Sequence, residues 1–204
     1  LYYFFFFVQV KISNPSRVVA LIDRCVLIGH DVIGLIVPVS VGNNTAERNV
    51  ARIDEIRAVL YIGESKYTFD AVRLVDFRRS PNHETPRSGL ESCSDEPEDL
   101  SYYVEEQNSF LPFVLAGGEH VSFELFFEPY IPACPEVGDC YVQNYLPAGR
   151  FLEQLRSIAQ QNGFIKVEIV TDPDRSTSTC RLDINEDIVG AVENFGHFEV
   201  TCSS

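Results

Sequence analysis

Apolar and polar residues alternate over much of this chain. Val8, Val10 and Ile12 face one way, while Gln9, Lys11 and Ser13 face the other. That two-residue period predicts a strand with one buried face. The run Phe4-Phe5-Phe6-Phe7 breaks the alternation, so both of its faces are expected to be covered. Asn14-Pro15 cannot continue a ladder, because proline lacks an N–H and biases its predecessor away from helix. Residues 18–28 are then apolar and β-branched apart from Asp23 and Arg24. Together the two runs predict a hairpin or a sheet-to-sheet corner. The aromatic run is too short for a helical membrane span, which needs about 20 apolar residues. It predicts burial or a subunit contact, with Phe5 and Phe7 as candidate contact residues.

Further strands follow. Gly29-His30-Asp31 marks a turn, and residues 32–41 form another apolar run broken by Gly34 and Pro38. Pro38 points to an edge strand or a bulge. Thr45 is placed to cap a short helix reaching Leu60, with Val50, Ile53, Ile56 and Leu60 near one face. A strand over residues 58–62 competes for its last turn. Residues 66–77 read as a strand. Residues 79–109 change character, with Pro81, Pro86, Pro97 and an acidic knot at Asp95, Glu96, Glu98 and Asp99. They predict a long loop insertion.

Val121, Phe123 and Leu125 alternate with Ser122 and Glu124, another strand. Residues 129–149 are broken by Pro129, Pro132, Pro135 and Pro147 and form a second loop insertion. Their tyrosines Tyr130, Tyr141 and Tyr145 are candidate protein contacts, since they pair rigid area with a polar tip. Phe151, Leu152, Leu155, Ile158 and Ala159 have helical spacing, and Gly163 sits where a C′ residue belongs. Residues 164–184 predict a hairpin turning at Asp172-Pro173-Asp174. The tail, residues 185–204, predicts a short helix over 187–192 and a last strand over 197–201.

Roughly seven to nine strands and two or three short helices follow, in no regular βαβ rhythm. The expected fold is mainly β: one antiparallel β-sandwich domain over residues 1–204, elaborated by the two loop insertions. The opening V-x-V-x-I-S-N-P-S of residues 8–16, the V-V-A-L-I after it, and L-P-x-x-L-x-x-G-E over residues 111–119 carry a resemblance. So does the turn at residues 172–174. The chain resembles the immunoglobulin-like or fibronectin-III-like β-sandwich domains of many uncharacterised bacterial proteins, over about half its length. The resemblance implies a binding, spacing or assembly unit and no activity. The chain departs from antibody-type domains in having no tryptophan.

Charge narrows the partners. A net charge of −14 disfavours nucleic acid, whose phosphates need a basic patch, and anionic membrane surfaces alike. The six cysteines are Cys25, Cys93, Cys134, Cys140, Cys180 and Cys202. An even number fits a disulfide-permissive compartment and an extracytoplasmic or secreted protein, with reduced cytosolic thiols as the alternative. Cys134 and Cys140 bracket P-E-V-G-D and form the favoured local disulfide; Cys180 with Cys202 is the weaker pairing. No signal peptide is visible, and the opening Leu1 reads as a processed form or a piece of something longer. Asn43-Asn44-Thr45 matches the glycosylation acceptor pattern at Asn43.

Chemistry is sparse. His30, His83, His120 and His197 lack the spacing of a metal pair, and C-x-x-C and H-E-x-x-H do not occur. Neither does any nucleophile-elbow or phosphate-loop motif, so no catalytic, cofactor-binding or metal residue is assigned and no cofactor is expected. Asp172, Asp174, Asp183, Glu186 and Asp187 offer oxygen ligands for calcium, though a solvated acidic surface is the favoured reading. The expected function is a non-enzymatic structural or protein-binding module whose partners are proteins, either copies of itself or other subunits. The alternatives are a virion or filament subunit of jelly-roll type and a carbohydrate-active hydrolase using a carboxylate pair.

Overall fold

The computed structural model describes residues 9–23, 32–45, 49–76, 103–105, 110–129, 146–172 and 176–203. In chain order the strands are β1 (Val10–Ile12), β2 (Arg17–Asp23), β3 (Val32–Asn43), β4 (Val50–Ile53), β5 (Glu55–Ile62) and β6 (Ser65–Asp76). Then come β7 (Tyr103–Glu105), β8 (Phe113–Ala116) and β9 (His120–Pro129). Helix α1 (Ala148–Ala159) leads to β10 (Phe164–Asp172) and β11 (Thr177–Asp183). Helix α2 (Glu186–Phe195) and β12 (His197–Thr201) close the sequence of elements.

One antiparallel sheet runs β11-β10-β5-β6-β9-β3-β2-β12, with β1 also on β3 and β7 also on β6. Its two outermost strands meet. Arg181 of β11 bridges Ser203, just beyond β12, and the Cys180–Cys202 disulfide lies beside that bridge. The sheet therefore curls into a nearly closed barrel. Antiparallel β structure is as expected, but the single continuous path replaces the expected pair of facing sheets. Alternation predicts strands; it does not predict which of them end up at the edges.

The barrel is filled. Successive inward positions of β3 (Ile33, Leu35, Val37, Val39 and Val41) share one core with Phe69, Leu125, Phe127 and Val167. Each large aliphatic side chain buried this way contributes about 2 kcal/mol. The helices lie at the end where β5 turns into β6. Ala148, Phe151, Leu155 and Ala159 form the buried stripe of α1, and Phe151 stacks on Phe198 of β12 with ring centroids 6.3 Å apart. Gln154 of the same helix meets the Tyr67 hydroxyl at 3.3 Å. At the opposite end a two-stranded ribbon, β4 with β8, drives Ala51, Ile53 and Leu115 into the core. A smaller cluster on the outer face joins Val19, Leu21, Ile36, Val75 and Phe126. Gly34 makes room for it: a Cβ there would stand 2.7 Å from the Phe126 ring.

The opening stretch is neither a hairpin nor a corner between sheets. β1 and β2 both run antiparallel to β3, one after the other along its edge. Register shifts at Asn14-Pro15-Ser16, where residues 13–18 stand opposite residues 37–40. Pro38 lies in that gap. Ser40 offers its carbonyl to the Ser13 N–H, and Pro38, two residues earlier, turns its backbone the same way. Its missing N–H therefore faces the break, and a proline sits inside an interior strand without orphaning a partner.

Of the helix expected from Thr45 to Leu60, the described residues 50–53 and 55–60 are strand instead. Val50, Ile53, Ile56 and Leu60 suit a strand as well as a helix, and pairing decides. β5 has neighbours on both sides, β6 and β10, and Ile56, Ala58 and Leu60 turn inward. Helix α1, the hairpin β10–β11, helix α2 and strand β12 fall where the pattern places them. Asn162 (φ 49°), not Gly163, takes the C′ conformation after α1. Gly163 follows it as C″, its N–H bonding Ile158 O at 2.9 Å, and a Cβ there would press on Ile158.

Candidate functional site

Several expected contact residues lie outside the described residues: Phe5, Phe7, Tyr130, Tyr141 and Tyr145, together with Cys134, Cys140 and Asp174. Among the described residues the disulfide is Cys180–Cys202, the weaker of the two expected pairings. The carboxylates considered for calcium do not converge. Asp183 pairs with Phe164 at one end of the β10–β11 hairpin and bonds Arg181 at 2.9 Å, while Asp172 stands at the other end opposite Glu55. Glu186 and Asp187 occupy the first turn of α2, where negative charge suits the helix dipole. Among the described residues, no group of His, Cys, Asp or Glu is arranged to hold a metal ion.

Asn43 is buried at the end of β3, 0% exposed. Its Nδ2 donates to Asn49 O at 3.1 Å and to Leu115 O at 3.0 Å. Its Oδ1 accepts from the Thr45 N–H at 3.2 Å and from the Thr45 hydroxyl. The acceptor triplet thus ties β3 to the β4–β8 ribbon. Both amide hydrogens are engaged and the side chain has no exposed surface.

Charge gathers at the same end of the barrel. A cleft of ≈ 170 Å³ is lined by Glu55, Arg57, Val170, Thr171 and Asp172. Arg57 donates to Glu55 and approaches Asp70 Oδ1 at 3.4 Å. Burial pushes the Asp70 carboxyl above its ordinary range; the Arg57 guanidinium opposes that shift and the Glu55 charge adds to it. Thr171 turns inward by the alternation of β10, and its buried Oγ1 has no hydrogen-bond partner. The cleft therefore offers carboxylates balanced on one guanidinium.

A second feature spans four strands of the outer face. Register aligns Lys66, Tyr61, Lys166 and Arg181 in one row. The Tyr61 hydroxyl donates to Glu168 at 2.8 Å, and Lys166 Nζ lies 4.2 Å from the Tyr61 ring centroid. Arg181 covers the Phe164 ring at 4.0 Å. A third feature is apolar: Val50 (56% exposed) and Val114 (58% exposed) stand on the outer face of the ribbon. None of these three was singled out in the sequence. The row was visible only as alternation, because its members come together through register rather than spacing.

Family models, curated proteins and solved structures were compared with the chain, and none matches.

Proposed function

We propose that this chain is a non-enzymatic structural or protein-binding module that works through its outer surface, in an oxidising extracytoplasmic setting and as part of a larger assembly. What supports this reading is the interior. The barrel lumen is taken up by its own side chains, with Phe69, Phe127 and Phe151 fully buried, and both ends are covered. Barrels that carry small molecules keep such a space open. Contacts then fall to the exposed Val50 and Val114 and the cation row around Tyr61; Phe5, Phe7, Tyr130, Tyr141 and Tyr145, outside the described residues, stay candidates on their sequence alone. The disulfide is the observation behind the compartment.

Light scattering after size exclusion tests the self-assembling form. The parent should grow in mass with concentration, and F5S/F7S or V50S/V114S should hold it at one chain while circular dichroism stays β. A parent of single-chain mass at every concentration refutes self-assembly. A virion or filament subunit is the extreme of the same reading, marked by open-ended growth. Hydrolysis of carbohydrate is a second reading, favoured by the raised Asp70 carboxyl beside the Glu55–Asp172 cleft. Reducing-sugar release by the parent and not by D70N would support it, and no release by either removes it.

A further inference from the structure

We propose that the Cys180–Cys202 disulfide is a redox-operated clasp that holds the barrel shut along one seam. The seam lies between β11 on one side and residues 12–16 and 202–203 on the other. Every other neighbouring pair along the sheet is joined by a ladder of at least five register positions, whereas β11 meets residue 203 through a single bridge. The remaining contacts there are isolated. Ser203 N and Oγ both bond Arg181 O, at 3.0 and 3.1 Å. Ser203 Oγ also reaches Asp183 Oδ2 at 3.2 Å, while Cys202 N bonds Ser16 O at 2.9 Å on its own side of the seam. Ser178 Oγ bonds Ser13 O and Asn14 Oδ1, each at 3.0 Å, and Ile12 N bonds Ser176 Oγ at 3.2 Å. Among the described residues, side chains stand in for a ladder along this line, and one covalent bond, Cys180–Cys202, crosses it.

The two sulfurs differ in access. Cys180 is 0% exposed and belongs to the core, while Cys202 is partly exposed. A dithiol reductant therefore reaches the Cys202 sulfur first. Its thiolate forms a bond to Cys202 Sγ as the bond between the cysteines breaks, and Cys180 leaves as a thiolate that takes up a proton. The second thiol of the reductant then attacks the mixed disulfide and releases Cys202 as a thiol. The reductant leaves as its cyclic disulfide, so two electrons and two protons pass to the protein. Once it is cut, what holds residues 202–203 to β11 among the described residues is the set of Ser203 hydrogen bonds to Arg181 O and Asp183 Oδ2, and the seam opens. The β5–β10 and β3–β9 ladders do not cross it and stay closed.

Hydrogen exchange on the full chain tests this, comparing the parent with C180A/C202A, in which the other four cysteines remain. The amides of residues 12 and 203 should exchange at least about tenfold faster in the variant, as local opening requires. Those of the β5–β10 ladder should stay within about twofold. No acceleration at the seam would mean the hydrogen bonds close it unaided and would overturn the proposal. Uniform acceleration, or a variant that does not fold, would make the bridge a staple for the whole domain and overturn it too. A second measurement needs no variant: the parent is treated with dithiothreitol, alkylated and mapped by peptide mass. Alkylated Cys180 and Cys202 in a chain that keeps its β circular dichroism supports the clasp; loss of that signal as they react refutes it.

Discussion

Replacing Asn43 with aspartate exchanges an amide for a carboxylate of the same shape. The carboxylate oxygen then faces Leu115 O and Asn49 O, which the amide served at 3.0 and 3.1 Å. A donor pair becomes an acceptor against two acceptors, at a residue that is 0% exposed. Stranding the buried Leu115 carbonyl costs about 1–3 kcal/mol. An uncompensated buried charge brings the total to roughly 3–5 kcal/mol at neutral pH. With a urea slope of about 2 kcal/mol per molar, the N43D midpoint should fall by about 2 M. The sign with pH follows from burial. The introduced carboxyl is raised above its unfolded value, so the deficit is smallest when it is protonated and grows as pH rises through that value. N44D is the control: Asn44 is exposed, and the change should stay within about 0.5 kcal/mol. Equal midpoints for N43D, N44D and the parent at neutral pH would refute the description of Asn43.

Two further outcomes follow from single groups. Thr171 is 1% exposed with an unpartnered Oγ1, so T171V should raise stability by about 1 kcal/mol in urea denaturation; a loss would show that the hydroxyl is bonded. The Tyr61 phenol is raised above 10.0 by the hydrogen bond it donates to Glu168, then by burial and by the Glu168 charge. Its share of stability is therefore fully present below that value and is lost as pH rises through the folded pKa. In an ultraviolet difference titration E168Q should bring down the one tyrosine transition that Y61F removes, and an unchanged curve would contradict the assignment.

Much of the strand pattern was legible because burial imposes period two. β10 and β11 alternate without a break, and their hairpin was readable in Ile165, Val167 and Ile169 against Lys166 and Glu168. Helix α1 was legible in the spacing of Phe151, Leu155 and Ala159. Residues 50–60 were not, because Val50, Ile53, Ile56 and Leu60 satisfy both periods and only pairing with β6, β8 and β10 separates them. Barrel rather than sandwich was illegible for a related reason. Closure depends on Arg181 meeting Ser203, a contact that no local pattern encodes. The charged cleft and the cation row were hidden in the same way, since Arg57 finds Asp70 and Tyr61 finds Lys166 across strands. Asn43 shows the converse. A triplet that reads as an acceptor site is used to tie a strand end to a ribbon, and only its burial shows that.

Barrel closure is tested most directly by nuclear Overhauser contacts between backbone protons of Arg181 and Ser203 in the oxidised protein. The fold described here predicts strong cross-peaks between them, alongside those of the β2–β12 and β10–β11 ladders. Intact ladders with no contact between Arg181 and Ser203 would place β11 and β12 on separate edges, as in a sandwich, and would contradict it.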